Sequence, residues 1–239
     1  MASPRFYVEK PLAPGADIIL SERAARHARV LRLNKNDEVV LFDGSGVDFA
    51  GVITGGRKGQ IQVSVGVGHV GLADPVLDWH LAIAVIKREA MNLALQKATE
   101  VGVTAITPVF TEYTDAPHGS ADRRHNNWLG VLTSAAEQCG RSRLPTLNAA
   151  CQFTDCLKVC ADLRLIPEPA AELTIETVAT RPQSLFTLVG PEGGFSPAEV
   201  AAAEKTGFVA ISLGPRILRA DTVPAVLGAL VQSRWGDLS

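Results

Sequence analysis

Leu185-Phe186-Thr187-Leu188-Val189-Gly190-Pro191-Glu192-Gly193-Gly194-Phe195-Ser196-Pro197-Ala198-Glu199 decides the fold of this chain. Its first five residues are an apolar run that reads as a buried strand. A glycine-rich turn follows, from Gly190 to Phe195. Ser196-Pro197-Ala198-Glu199 is then a capping box, with serine at the cap, proline at the first helical position and glutamate placed to reach back. The spacing predicts a helix to about Thr206, ended by Gly207. The pattern repeats at once. Phe208 to Leu213 reads as a second strand, Gly214-Pro215-Arg216-Ile217-Leu218-Arg219 as a second turn, and a last helix starts near Thr222. Strand, turn and helix given twice put both turns on one edge of a parallel sheet, where ligands bind in such folds.

Working upstream, Trp79 to Ile86 is a near-continuous apolar run typical of a parallel strand buried on both faces. Lys87 to Val101 reads as a helix ending at Gly102, Val103 to Phe110 as a strand, and Asp122 to Cys139 as an amphipathic helix ended by Gly140. Phe153 to Ala161 is a short helix, Leu163 to Ile166 a strand, and Pro167 to Pro182 a polar connection. Residues 75–239 thus alternate strand and helix about five times, which predicts an α/β domain with a mostly parallel sheet and helices on both faces. Thr111-Glu112-Tyr113-Thr114 falls on the same sheet edge as the two later turns.

Residues 1–70 read differently. Short strand candidates, Arg5 to Val8, Ile18 to Leu20, Glu38 to Phe42, Phe49 to Thr54 and Gln60 to Val67, are separated by glycine turns, which suggests a small barrel. In the last of them Ile61, Val63, Val65 and Val67 are expected on one buried face. A helix capped by Ser21 carries Arg23, Arg26, Arg29 and Arg32, with Lys35 just beyond. Residues 1–70 hold nine lysines and arginines against seven acids, while the rest of the chain holds fourteen against eighteen. Arginines spaced by three lie along one side of a helix, either as a solvated face or as a phosphate-contacting surface. Gly68 to Pro75 reads as a linker.

Composition narrows the function. A net charge of −2 over 239 residues argues against a protein that coats nucleic acid, but leaves room for a local basic face. No apolar run reaches membrane-spanning length, and Met1-Ala2-Ser3-Pro4-Arg5 lacks the apolar stretch of a secretory leader. A cytoplasmic location without membrane association is expected. Cys139, Cys151, Cys156 and Cys160 contain no CxxC pair and have no histidine close by in sequence. They are read as packing residues, with Cys156 and Cys160 on one helix face and no metal bound. The Gly190–Phe195 turn is neither GxGxxG nor a P-loop, no lysine follows it, and no GxSxG elbow is present, so dinucleotide, triphosphate and serine-hydrolase chemistry are unsupported. What remains is a backbone loop containing Glu192, able to wrap a flat ligand.

These residues carry a resemblance. Leu188-Val189-Gly190-Pro191-Glu192-Gly193-Gly194-Phe195-Ser196, with Leu213-Gly214-Pro215-Arg216-Ile217-Leu218-Arg219, resembles the RsmE family of bacterial ribosomal RNA small subunit methyltransferases E. Gln96 to Val103, Ile106-Thr107-Pro108, Glu137 to Pro145, Arg5-Phe6-Tyr7, His27 to Arg32 and Phe42-Asp43-Gly44 fit in the same order. The resemblance implies a PUA-like N-terminal β-barrel over residues 1–70 and a C-terminal SPOUT α/β domain over 75–239, threaded as a trefoil knot. It implies S-adenosylmethionine as cofactor, held by Phe110 and Thr111, by Leu188, Gly190, Pro191, Glu192, Gly193 and Gly194, and by Leu213, Gly214, Ile217 and Leu218. It implies a homodimer acting on 16S rRNA or the small ribosomal subunit, methylating N3 of a uridine.

Uracil N3 must lose its proton before it attacks the sulfonium methyl, so the site needs positioning and stabilisation of a developing anion. Arg219 or Arg141 suits that role, because an arginine stays charged and its fork can face a uracil carbonyl. Glu192 is expected to orient the donor or accept a hydrogen bond from it, or else to complement a helix dipole; Arg219 could instead pair with Asp221. Arg5, Arg26, Arg29 and Arg32 are candidates for RNA phosphate contact. Where the family usually continues with Thr-Glu-Thr-Ala, this chain has Ala220-Asp221-Thr222-Val223-Pro224. The alternative reading is therefore an RNA-binding protein without transfer.

Overall fold

The computed structural model describes residues 3–56, 59–117 and 120–238; the leader reading at Met1 and Ala2 lies outside them. The chain divides into two compact units, Met1–Asp74 with Thr133–Leu144, and Pro75–Leu132 with Pro145–Ser239.

The first unit contains β1 (Arg5–Tyr7), β2 (Asp17–Ile19), α1 (Glu22–Val30), β3 (Glu38–Phe42), β4 (Val47–Gly55) and β5 (Gln62–Val70). They form a five-stranded sheet in the order β1-β3-β4-β5-β2. α1 starts where the Ser21 hydroxyl accepts from the Ala24 N–H, 3.2 Å away. Its buried side is Ala24, Ala25 and Ala28, packed on Phe6, Leu41 and Val63. The expected alternation in β5 fails at its end. Ile61, Val63 and Val65 are buried, but Val67 is 76% exposed. Between the pairs Gly51–Val65 and Phe49–Gly68, β5 has one more residue than β4. That bulge turns the following side chains to the opposite face.

The second unit contains β6 (Asp78–Ala84), α2 (Arg88–Glu100), β7 (Ala105–Phe110), α3 (Ser120–Cys139), β8 (Thr146–Leu147), β9 (Cys151–Gln152), α4 (Phe153–Cys156), β10 (Leu163–Pro167), β11 (Ser184–Val189), α5 (Pro197–Lys205), β12 (Val209–Ile211) and α6 (Val223–Trp235). The last turns of α3, from Thr133, belong to the first unit. The sheet order is β12-β10-β11-β6-β7-β8, with β9 also pairing β7. Every one of these pairings is parallel.

Burial on both faces explains the continuous apolar strands. Leu81, Ile83, Leu165 and Leu185 face a core shared with α2, α3 and α6. Ala82, Ile166, Phe186 and Leu188 face a second core with α4 and α5. One expected helix is shorter than read. α4 stops at Cys156, where Lys158 and Val159 donate back to Asp155 and Cys156 in tight turns. Cys160 is therefore off the helix and exposed, and does not share a face with buried Cys156.

Candidate active site

β10 and β11 run side by side and end at Pro167 and Val189. The chain leaving β11 makes the glycine turn. The Gly194 N–H donates to the Pro191 carbonyl at 2.9 Å, and Gly194 takes φ +72°, which glycine adopts without strain. At Gly190 a Cβ would sit 3.2 Å from the Gly194 carbonyl carbon and from the Phe195 ring, so the turn closes tightly on itself. Its far end is fixed by the capping box. The Glu199 N–H donates to the Ser196 hydroxyl at 3.3 Å, and the Glu199 carboxylate accepts from the Ser196 N–H at 2.9 Å. Phe195 is buried against Phe153, with ring centroids 5.7 Å apart.

The second turn follows β12. The Gly214 N–H donates to the Ser212 hydroxyl, and the Arg219 carbonyl accepts from the Thr222 and Val223 N–H groups. α6 starts at Val223 with Pro224 in its first turn, where a missing N–H leaves no bond unmade. Between the two turns lies a cavity of about 490 Å³. Its charged lining is Lys87, Glu168, Glu192, Arg219 and Asp221, three acids against two bases, so the cleft favours a cationic ligand.

Of the residues expected at a ligand, Gly190, Pro191, Glu192, Gly194, Ile217 and Leu218 line this cavity. Leu213 and Gly214 line a small adjoining pocket that shares Leu218. Phe110 and Thr111 line a second cavity, also of about 490 Å³, with Glu112, Thr114, Gln152 and Glu199. Leu188 is in the core. Gly193 is exposed, and a Cβ there would meet the Tyr113 Cβ at an ordinary 3.5 Å. Arg219 lines the cleft and is exposed; among the described residues it makes no ion pair, with Asp221 or any other acid. Arg141 is buried and belongs to the first unit.

Two elements of the cleft were not anticipated. Pro167-Glu168-Pro169, leaving β10, forms one wall, and the Glu168 N–H is tied to the Ile211 carbonyl. Lys87, just before α2, forms another part. The signal for both was available, since each follows a parallel strand at its C-terminal end.

The arginines of the first unit separate by partner. Arg5 holds Asp48 through two bonds of 2.6 and 2.8 Å, and its guanidinium lies 5.1 Å from the Phe42 ring centre. Burial alone would raise the Asp48 pKa, but hydrogen bonds from Arg5 and Ser142 outweigh it and hold the carboxyl below its usual value. Arg23 is paired with buried Glu137 at 2.7 Å. Arg26, Arg29 and Arg32 are exposed; Arg26 makes an i,i+4 contact with Glu22 at 3.5 Å, and the Arg29 Nε donates to the Ala25 carbonyl. Among the described residues no group of three or more His, Cys, Asp or Glu side chains is arranged to hold a metal ion.

Residues 73–232 match the family described as RNA methyltransferase domain, and residues 20–66 match RNA methyltransferase PUA domain. Ribosomal RNA small subunit methyltransferase E of Buchnera aphidicola subsp. Schizaphis graminum is 30% identical over 99% of this chain and 98% of its own length. The protein of the same name from Mycobacterium bovis is 31% identical over 98% of this chain and 94% of its own. A putative methyltransferase from Legionella pneumophila, solved with bound S-adenosylmethionine, superposes with a TM-score of 0.95 at 31% identity over 100% of both chains. Ribosomal RNA small subunit methyltransferase E of Neisseria gonorrhoeae, also bound to S-adenosylmethionine, gives 0.91 at 30% identity over 100% of both chains. With a parallel α/β sheet, a PUA-type first unit and relatives matched along their whole length, the chain belongs to the ribosomal RNA small subunit methyltransferase E family.

Proposed function

We propose that the cleft between the two turns binds S-adenosylmethionine and that the protein transfers its methyl group to N3 of a uridine in 16S rRNA. The observation that carries this reading is the cleft itself, a backbone turn and an acidic lining at the C-terminal edge of a parallel sheet. Its size falls within the range of small-molecule sites, roughly 300–1,000 Å³. Its excess of carboxylates suits a ligand carrying a sulfonium and an ammonium against one carboxylate. When bound, S-adenosylmethionine would supply an electrophilic methyl group.

The protein's own residues do the rest. The main chain from Gly190 to Gly194 gives hydrogen-bonding edges for the donor, and the exposed side chain of Ile217 covers apolar surface. Glu192 orients the donor's polar end. Arg219 lines the cavity and, among the described residues, no acid pairs with it, so its guanidinium is available to a uracil oxygen as N3 loses its proton. Residues 1–70 serve as the RNA-binding domain and 75–239 as the methyltransferase domain, with phosphate contact from Arg26, Arg29 and Arg32, while the Arg5 guanidinium is engaged by Asp48. A SPOUT-type trefoil knot, a homodimer and a cytoplasmic location complete the proposal.

The test combines calorimetry with primer extension. S-adenosylmethionine should bind, and 16S rRNA from a strain lacking the protein should lose a reverse-transcription stop that the restored gene brings back. A stop that persists without the protein refutes the assignment. Donor binding with no transfer would favour the reading without catalysis, for which Ala220 and Asp221 in the cleft wall are the reason.

A further inference from the structure

We propose that Glu199 is a positioning residue that holds the glycine turn of the cleft and the Thr111–Thr114 turn in one fixed geometry. The proposal rests on the donor reading of the cleft. One carboxylate oxygen of Glu199 accepts from the Ser196 N–H at 2.9 Å, inside the capping box. The other accepts from the Glu112 N–H, also at 2.9 Å, from a loop 87 positions away in sequence. A helix cap uses only the first oxygen, and the helix dipole asks only for a nearby negative charge. Neither accounts for the second bond.

The loop it grips is itself closed. The Thr114 N–H donates to the Thr111 carbonyl at 3.1 Å, the Thr111 N–H donates to the Thr114 hydroxyl at 3.1 Å, and the two hydroxyls are 2.9 Å apart. Glu112 is the handle by which this small rigid turn is held. Tyr113, next to it, lies against the exposed backbone of Gly193 in the glycine turn. Glu199 also lines the second cavity with Thr111, Glu112 and Thr114. Its carboxylate therefore links the end of the glycine turn, at Ser196, to the wall of that cavity, and a displacement of either turn is felt by the other.

Glu199→Asp, Glu199→Gln and Glu199→Ala separate bridging from charge. Aspartate keeps the charge and serves the dipole, but is one methylene too short to span both N–H groups. Glutamine keeps the length and offers one accepting oxygen in place of two. The measurements are hydrogen–deuterium exchange at the Glu112 amide, calorimetry with S-adenosylmethionine, and the division of any rate loss between KM and kcat. With bridging, Asp and Ala speed exchange at Glu112 and raise the donor KM by about tenfold, the scale of one charge-assisted hydrogen bond. Under the same reading kcat falls much less than KM rises, and Gln restores part of the loss. Aspartate that exchanges and binds donor as the unchanged protein does would overturn the proposal, as would a lowered melting temperature with donor KM unmoved. If the unchanged protein binds no S-adenosylmethionine, the donor reading fails, while exchange at Glu112 still decides whether the tie exists.

Discussion

Gly194→Ala isolates backbone strain from steric clash. Gly194 adopts φ +72°, and a Cβ built there meets nothing within 4 Å. The added methyl therefore has room, and its cost is conformational, about 1–2 kcal/mol for a residue held in the left-handed region. Gly140 is the internal control. It has φ +88°, equally open space around its Cβ, and a place at the end of α3 in the first unit. Both substitutions should lower the melting temperature by about 2–8 °C, since 1 kcal/mol corresponds to roughly 2–4 °C in a chain of this size. Only Gly194→Ala should change donor affinity, because relaxing its φ breaks the Gly194 to Pro191 bond that closes the turn. Losing one such bond predicts a fall of about tenfold in affinity for S-adenosylmethionine, read by calorimetry on both variants. Gly194→Ala that is destabilised like Gly140→Ala yet binds the donor normally would refute the claim that this turn holds the ligand.

Arg219→Ala should leave donor affinity within about twofold while lowering single-turnover transfer about 100-fold, the scale for losing one anion-stabilising donor. Asp48→Ala should destabilise the first unit by about 3 kcal/mol in urea unfolding, because it leaves the largely buried guanidinium of Arg5 without its acid. Burial lowers the pKa of His80, which Asp78 only partly opposes, so His80 is held neutral beside Thr107. Its folded pKa lies below the unfolded value of about 6.5, so its contribution is complete above that pH and is lost as pH falls through the folded value. His80→Gln should flatten stability against pH in that window. A thiol reagent should modify exposed Cys160 first. Cys156 should resist longest, since the hydrogen bond its thiol donates to the Cys151 sulfur, 3.6 Å away, and burial both raise its pKa.

Local signals carried much of the fold. Ser196 and Glu199 name a helix start in four residues, and that capping box is present with both of its bonds. Gly102, Gly140 and Gly207 mark helix ends, and each takes a positive φ there. Continuous burial in β11 follows from an apolar run whose two faces meet two cores. What was not legible depends on contacts between distant residues. A bulge in β5 exists only because β4 is its partner, so Val67 could not be placed from its own strand. Arg23 reads as one of a row of helix arginines until Glu137 is brought beside it. Likewise the capping glutamate is visible in the sequence, but its second bond, to Glu112, is not. Both glycines of the Gly193-Gly194 pair look alike in the chain, and only the backbone angle distinguishes the required one.

The central place of β11 has a consequence for synthesis on the ribosome. β6 pairs with β7 on one side and with β11 on the other, where Asp78 meets Ser184. β6 and β7 emerge early, so one edge of β6 waits for a strand not yet translated. At roughly 5–20 residues per second the wait is about 5–20 s. For that interval the nascent chain carries an open strand edge beside Leu81 and Ile83, which are fully buried once the sheet is complete. Such an edge is a template for pairing with another chain. A chaperone that shields nascent apolar segments should therefore raise the yield of this protein most when translation is slowed between β7 and β11.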